Sequence, residues 1–326
     1  MTFIKTLAFG AALSVGTAGA TWAQDWPTQP IRILVGFSAG SSIDSVARIV
    51  GEQLSQTLGQ PVVVENRTGA NGMLAATGVA QAEADGYTVL FSNSSSITVN
   101  PTLYQNIQYQ PLEDFEPVTK VVATPFILVT NPENARTDGV SDVSSLVELA
   151  RSAPGDLSYG SAGVGNLIHI ATELLAQQAG VEMTHIPYNG AAPMQLGLLS
   201  GEIDLAFDTP SGVPQIEAGN MTALAVSGTD RWPGLPDTPT MQEAGFEDFD
   251  VTFWTGVFLP VGTDPQIVSA LYDAIVAATE DPETRARLEL QGKPIVPTPD
   301  EFRQQIIEET EIAARTIEAA GIVVEQ

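Results

Sequence analysis

The feature that most constrains this chain is an alternation of short β-rich apolar runs with helix-spaced apolar stripes, repeated in two sets. In the first set a run at 31–35 stops at Gly36. From Ile43 the apolar positions 43, 46, 47, 50, 54 and 58 then follow helical spacing, with Ser41 or Ser42 as N-cap, Asp44 in the first turn and Gly59 as the stop. A strand at 61–64, a small-residue helix at 72–81 and a strand at 87–91 continue the pattern. The second set starts near Pro125, with strands at 126–130, 157–160, 183–186 and 203–207 enclosing helices at 142–152, 165–179 and 191–199. Such alternation calls for a largely parallel sheet covered by helices, and two sets call for two sheets. The proline-rich stretch 233–239 reads as an ordered surface crossing, because its tryptophan and leucine neighbours are not linker residues. A strand at 251–259 and helices at 264–278, 281–290 and 299–319 follow. The last helix carries Phe302, Ile306, Ala313 and Ile317 on one face, a stripe that must pack on something.

The 326 residues agree with two such units, at roughly 150 residues each. Residues 1–23 read as an export signal: a short positive start ending at Lys5, an apolar run at 7–15, and small-residue cleavage sites at Ala18-Gly19-Ala20 or Thr21-Trp22-Ala23. No later run reaches 18 uninterrupted apolar residues, so a soluble protein outside the cytoplasm is expected. Lys and Arg number 13 against 39 Asp and Glu, and a net charge of −26 makes nucleic acid and anionic membrane poor partners. The absence of cysteine removes disulfides, thiolate metal sites and cysteine nucleophiles. His169 and His185, the two histidines, match no common zinc spacing, and no metal is expected.

In open α/β sheets ligands sit beyond the carboxyl ends of strands, against helix N-termini. Two loops suit that place: Phe37-Ser38-Ala39-Gly40-Ser41-Ser42, and Gly160-Ser161-Ala162-Gly163-Val164-Gly165-Asn166. The second has Ile168 where a dinucleotide fingerprint needs its third glycine. No Gly-Lys-Ser/Thr loop occurs, and no nucleotide cofactor is expected. A Gly-x-Ser-x-Gly nucleophile elbow is likewise missing. Anion capture by bare N–H groups remains. The alternative is a secreted enzyme acting on a small carboxylate through His169, Glu173 and Asp208. His185, in an apolar strand, reads as structural.

A set of ordered segments then carries a resemblance: Pro30-Ile31-Arg32-Ile33, Asp44 with Ala47-Arg48, Val62 to Arg67, Asp85-Gly86-Tyr87, Val99 to Tyr104, Asn166 to Glu173, Ile186-Pro187-Tyr188, Phe207-Asp208, Pro236 to Thr240, and Glu243-Ala244-Gly245. The chain resembles the Bug family of periplasmic solute-binding receptors, the extracytoplasmic component of tripartite tricarboxylate transporters. The resemblance implies a two-lobed α/β periplasmic binding protein of type II, a Venus flytrap in which each lobe is a mixed sheet flanked by helices. Lobe one would comprise 24–124 and 252–326, and lobe two 125–251, with hinges near 122–126 and 247–253. It implies a periplasmic, monomeric receptor without turnover or cofactor. Its ligand would be a small carboxylate, and its partners the membrane subunits of such a transporter.

The implied ligand contacts are Phe37, Ser38, Ala39, Gly40, Ser41 and Ser42; Ser92, Ser94 and Ser95; Ser161, Gly163, Gly165, Asn166 and His169; Tyr188, Asn189, Gly190 and Ala191; and Asp208 at the rear. Trp254, with Phe37, is expected to supply an aromatic wall. The family's lysine in the Tyr-x-Gly turn is Asn189 here, and Leu167-Ile168 replace polar residues at the start of the lobe-two helix. These departures favour one well-gripped carboxylate on an apolar body over a citrate-like polyanion.

Overall fold

The computed structural model describes residues 26–247 and 249–320; the export signal expected at 1–23 lies outside the described residues. Along the chain run β1 (Ile31–Val35), β2 (Val62–Asn66), β3 (Thr88–Asn93), β4 (Phe115–Pro125), β5 (Ile127–Thr130), β6 (Ser158–Ser161), β7 (Thr184–Pro187), β8 (Leu205–Asp208), β9 (Thr222–Val226), β10 (Thr252–Pro260) and β11 (Lys293–Pro294). They form a six-stranded sheet ordered β11-β4-β10-β3-β1-β2 and a five-stranded sheet ordered β7-β6-β8-β5-β9. Both are mixed, as the resemblance implies. β1, β2 and β3 run parallel, while β10 and β11 pair antiparallel with their neighbours. In the second sheet β6, β7 and β8 run parallel, and β5 is antiparallel to β8 and β9.

The apolar run of β1 places Ile31, Ile33, Leu34 and Val35 wholly out of water, as a strand covered on both faces requires. The helix Ser42–Leu58 lays Ile43, Val46, Ala47, Val50 and Leu54 on that sheet and stops at Gly59, whose left-handed φ of 67° ends a helix without steric cost. On the other face the stripe of the helix Pro299–Ala320 finds its partner, with Phe302 and Ile306 packing on Trp254 and Phe258.

Two chain crossings join the sheets, at Phe126 between β4 and β5 and at Val251 entering β10. The buried Ser227 ties them together. Its amide donates to the Phe126 carbonyl and its hydroxyl accepts the Phe126 amide at 2.7 Å, while the same hydroxyl donates to the Val251 carbonyl and its carbonyl accepts the Val251 amide. Beside this clasp Phe126 and Phe253, one from each crossing, stack with ring centroids 5.0 Å apart.

A ligand cavity between the lobes

A cavity opens between the two sheets, directly over the Phe126–Phe253 pair. From the first lobe it is lined by Phe37, Ser38, Ser41, Ser42 and Ile43, by Asn93 at the end of β3, and by Ser95 just beyond it. The second lobe contributes Ala162, Asn166 and Ile168, then Gly190, Ala191 and Thr209. Three helices therefore begin at this cavity: Ser42–Leu58, Leu167–Ala179 and Ala191–Leu199. The N–H groups of a helix's first turn lack intrahelical acceptors, and each terminus carries about half a positive charge. Ser42 adds a buried hydroxyl with no hydrogen-bond partner. Among the described residues no Lys, Arg, His, Asp or Glu side chain lines the cavity.

The first loop is fixed from below. Asp44, 2% exposed, accepts the Gly40 amide at 2.9 Å, Arg48 at 2.9 Å and Asn66 at 2.8 Å, and Asn66 also donates to the Phe37 carbonyl. Burial works against the charge of Asp44. The bonds from Arg48, the Gly40 amide and Asn66 together outweigh it and hold the carboxyl below its ordinary value. Across the cleft the lobes touch directly: Asn166 donates to Asn71 at 3.0 Å, the Leu167 amide to Ser95 at 3.2 Å, and Tyr104 to the Val164 carbonyl at 3.3 Å. Asn71 stands at a φ of 50°, which asparagine tolerates better than most residues, and its side chain is locked by Asn100 at 2.7 Å.

The sequence-derived candidates separate into groups. Phe37, Ser38, Ser41, Ser42, Ser95, Asn166, Gly190 and Ala191 line the cavity. Gly163, Tyr188 and Asn189 line an adjoining outer cleft, which Phe37, Ser38 and Gly190 share. Ala39 and Gly40 sit exposed on the loop crest, and Ser92 and Ser94 are buried without lining either space. Ser161, Gly165 and His169 lie behind the lining, joined in hydrogen bonds to one another's loop.

Asp208 corrects one expectation. It is fully buried and turned from the cleft, accepting Gln195 at 3.0 Å and the Thr209 amide at 2.7 Å, so that Thr209 rather than Asp208 meets the cavity. Trp254 corrects another. Its indole N–H donates to Glu309 at 2.6 Å and its ring meets Phe302 edge-on, on the helix side of the sheet. Successive strand residues face opposite ways, and this places Phe253 in the cavity. Of the three residues of the acid–base alternative, His169 and Glu173 stay close, with 3.9 Å between Nε2 and Oε1, while Asp208 stands apart in the Gln195 network.

Ile43, Asn93, Phe126, Thr209 and Phe253 are lining residues that the sequence reading missed, with Asn71 and Tyr104 as cross-cleft partners. Strand parity is the signal that separates Phe253 from Trp254. Phe253→Ala is expected to weaken ligand binding about tenfold, the loss of ~1.4 kcal/mol of ring contact. Trp254→Phe is expected to lower thermal stability and leave affinity alone; calorimetry and melting of the two variants check the pair.

A two-lobed α/β molecule whose helix N-termini meet in an interlobe cavity has the architecture of the periplasmic solute-binding receptors. The chain belongs to the tripartite tricarboxylate transporter receptor family, whose model matches residues 46–322. It is 34% identical to the protein BugT of Bordetella pertussis over 311 residues, 94% of either chain. Among solved structures it is similar to Rpa4515 of R. palustris with adipate, at 33% identity and a TM-score of 0.87 over 91% of this chain and 99% of that one. MatC from Rhodopseudomonas palustris with bound malate matches at 30% identity and a TM-score of 0.80, over 90% and 100%.

Proposed function

We propose that this protein is a periplasmic receptor that encloses a small organic acid between its lobes and hands it to the membrane subunits of a tripartite tricarboxylate transporter. One observation carries the reading: three helix N-termini and the unpartnered Ser42 hydroxyl converge on a cavity without charged side chains. Carboxylates held by two similar solved structures support the chemical class, since one was solved with adipate and the other with bound malate. Three termini at about half a charge each supply ~1.5 positive charges, enough for one or two carboxylates and short of the three of citrate. Hydrogen bonds to a charged acceptor contribute ~1.5–3 kcal/mol each, so a few N–H and hydroxyl donors suffice for micromolar binding, ~8 kcal/mol, after ordering costs.

The rest of the lining is apolar: Phe37, Ile43, Phe126, Ile168 and Phe253. The preferred ligand is therefore an acid with a hydrocarbon or aromatic body. The net charge of −26 does not oppose this, because surface carboxylates beyond a Debye length of ~8 Å are screened at physiological salt. Isothermal titration with citrate, malate, adipate, benzoate and a branched-chain monocarboxylate tests the proposal. Binding of one of the apolar-bodied acids at least tenfold tighter than citrate is expected. Tight citrate binding with no heat from the others overturns the ligand class, and silence from every acid overturns the receptor reading.

A further inference from the structure

His169 and His185, whose spacing matches no common zinc signature, meet face to face. The helix Leu167–Ala179 and strand β7 bring their rings to a centroid distance of 3.9 Å with planes 11° apart, and Tyr159 of β6 stacks beneath His185 at 4.9 Å. Each imidazole holds a different point of the loop that leads from β6 to the helix. The Gly165 amide donates to His169 Nδ1 at 3.0 Å. Ser161 Oγ lies 2.7 Å from His185 Nε2, donates to the Gly163 carbonyl at 3.0 Å and accepts the Gly163 amide at 3.2 Å. A serine hydroxyl has one proton, spent here on Gly163, so the hydrogen-bond pattern assigns the donor role to His185 Nε2–H. His169 Nδ1 must be bare to accept an amide, which assigns its proton to Nε2. The loop so held supplies Ala162 and Asn166 to the ligand cavity and Gly163 and Val164 to the outer cleft.

We propose that the stacked His169–His185 pair positions this loop for ligand, and that a proton on His169 Nδ1 removes the acceptor of the Gly165 amide, frees the loop and weakens binding in acid. The proposal rests on the cavity being the ligand site. Facing the pair are Glu173 on the same helix, its Oε1 3.9 Å from His169 Nε2, and Tyr159 on β6, whose hydroxyl donates to Glu173; Asp208 on β8 turns instead to Gln195. Burial pushes both imidazoles below their ordinary value, with Glu173 partly opposing this at His169. At His185 the neighbouring His169 adds to burial, and its value falls to about 4. The neutral pair is thus the form at pH 7, and the proton that breaks the arrangement arrives on His169 only below the ordinary imidazole range.

His169→Asn places an amide oxygen near Nδ1 and cannot titrate, so it serves as the rescue variant; His169→Ala removes the acceptor at every pH. Adipate is the binding probe, and the ratio of wild-type to His169→Asn dissociation constants cancels the titration of adipate itself. Hydrogen-exchange protection factors of the Gly163 and Gly165 amides, read by NMR without ligand, report the loop independently of what binds. The expected result is a ratio near 1 at pH 7.5 that rises at least tenfold by pH 4.5, with a parallel loss of Gly165 protection in the wild type alone and low protection in His169→Ala throughout. A constant ratio, or protection that does not follow the imidazole titration, overturns the proposal. If adipate binds neither protein, the receptor reading is what suffers, and the protection factors still decide whether the histidines hold the loop.

Discussion

Asp44→Ala is expected to cost about 2–4 kcal/mol of folding stability and at least tenfold in affinity for the acid that fills the cavity. The carboxylate accepts from a guanidinium, a side-chain amide and a backbone amide in a site almost closed to water, and such charge-assisted bonds contribute ~1.5–3 kcal/mol each. Arg48 is half exposed and can return to solvent, which keeps the total below that for stranding a buried charge. The loss reaches the ligand because Gly40 and, through Asn66, the Phe37 carbonyl are held by this one side chain. The folded-state carboxyl titrates below its ordinary value, so its contribution is complete above about pH 4 and fades as the pH falls through the depressed value. Urea unfolding of wild type and Asp44→Ala at pH 7 and pH 3 should therefore show a gap that narrows in acid. An equal gap at both values would mean that packing, and not charge, makes Asp44 valuable.

Asp208 is expected to behave in the opposite sense. Burial raises its carboxyl to about 7, with the bonds from Gln195 and the Thr209 amide only partly resisting, and its Oδ2 has no partner. The turn Pro210–Gly212 closes over that oxygen so tightly that a Cβ on Gly212 would stand 2.1 Å from it. A folded state that keeps a proton the unfolded chain has released loses stability as the pH rises from about 4 to 7, by on the order of 1–4 kcal/mol for a shift of this size. Asp208→Asn removes that loss. The variant should match the wild type in urea at or just below pH 4 and exceed it increasingly up to pH 8, with ligand affinity at pH 7 little changed because the side chain does not line the cavity. A variant less stable than wild type at pH 8 would show that the ionised carboxylate is needed in place.

The alternation of strands and helices was legible because both periodicities are strong wherever one face is buried, and the helix at 191–199 stands within the same limits as Ala191–Leu199. β4 escaped because Glu116, Pro117 and Lys120 interrupt its apolar run, yet as a central strand it is buried almost throughout. The loops Phe37 to Ser42 and Ser161 to Asn166 were found because ligands gather at strand ends and helix starts. Which of their side chains point inward was not legible, since a one-residue change of parity exchanges Phe253 with Trp254 and Asp208 with Thr209. The meeting of His169 with His185 depends on the register of β6 against β7, where Tyr159 lies opposite His185, and no local pattern contains that.

The clasp at Ser227 turns the two crossings into one axle. With Phe126 and Val251 both bonded to the same residue, a twist in one crossing is carried to the other. In this arrangement Asn166 meets Asn71 and the Leu167 amide meets Ser95, so the same clasp that joins the crossings faces a cleft whose rims are already bonded to each other. A molecule that fills the space has to fit between rims so joined, and its length is therefore measured against one fixed gap.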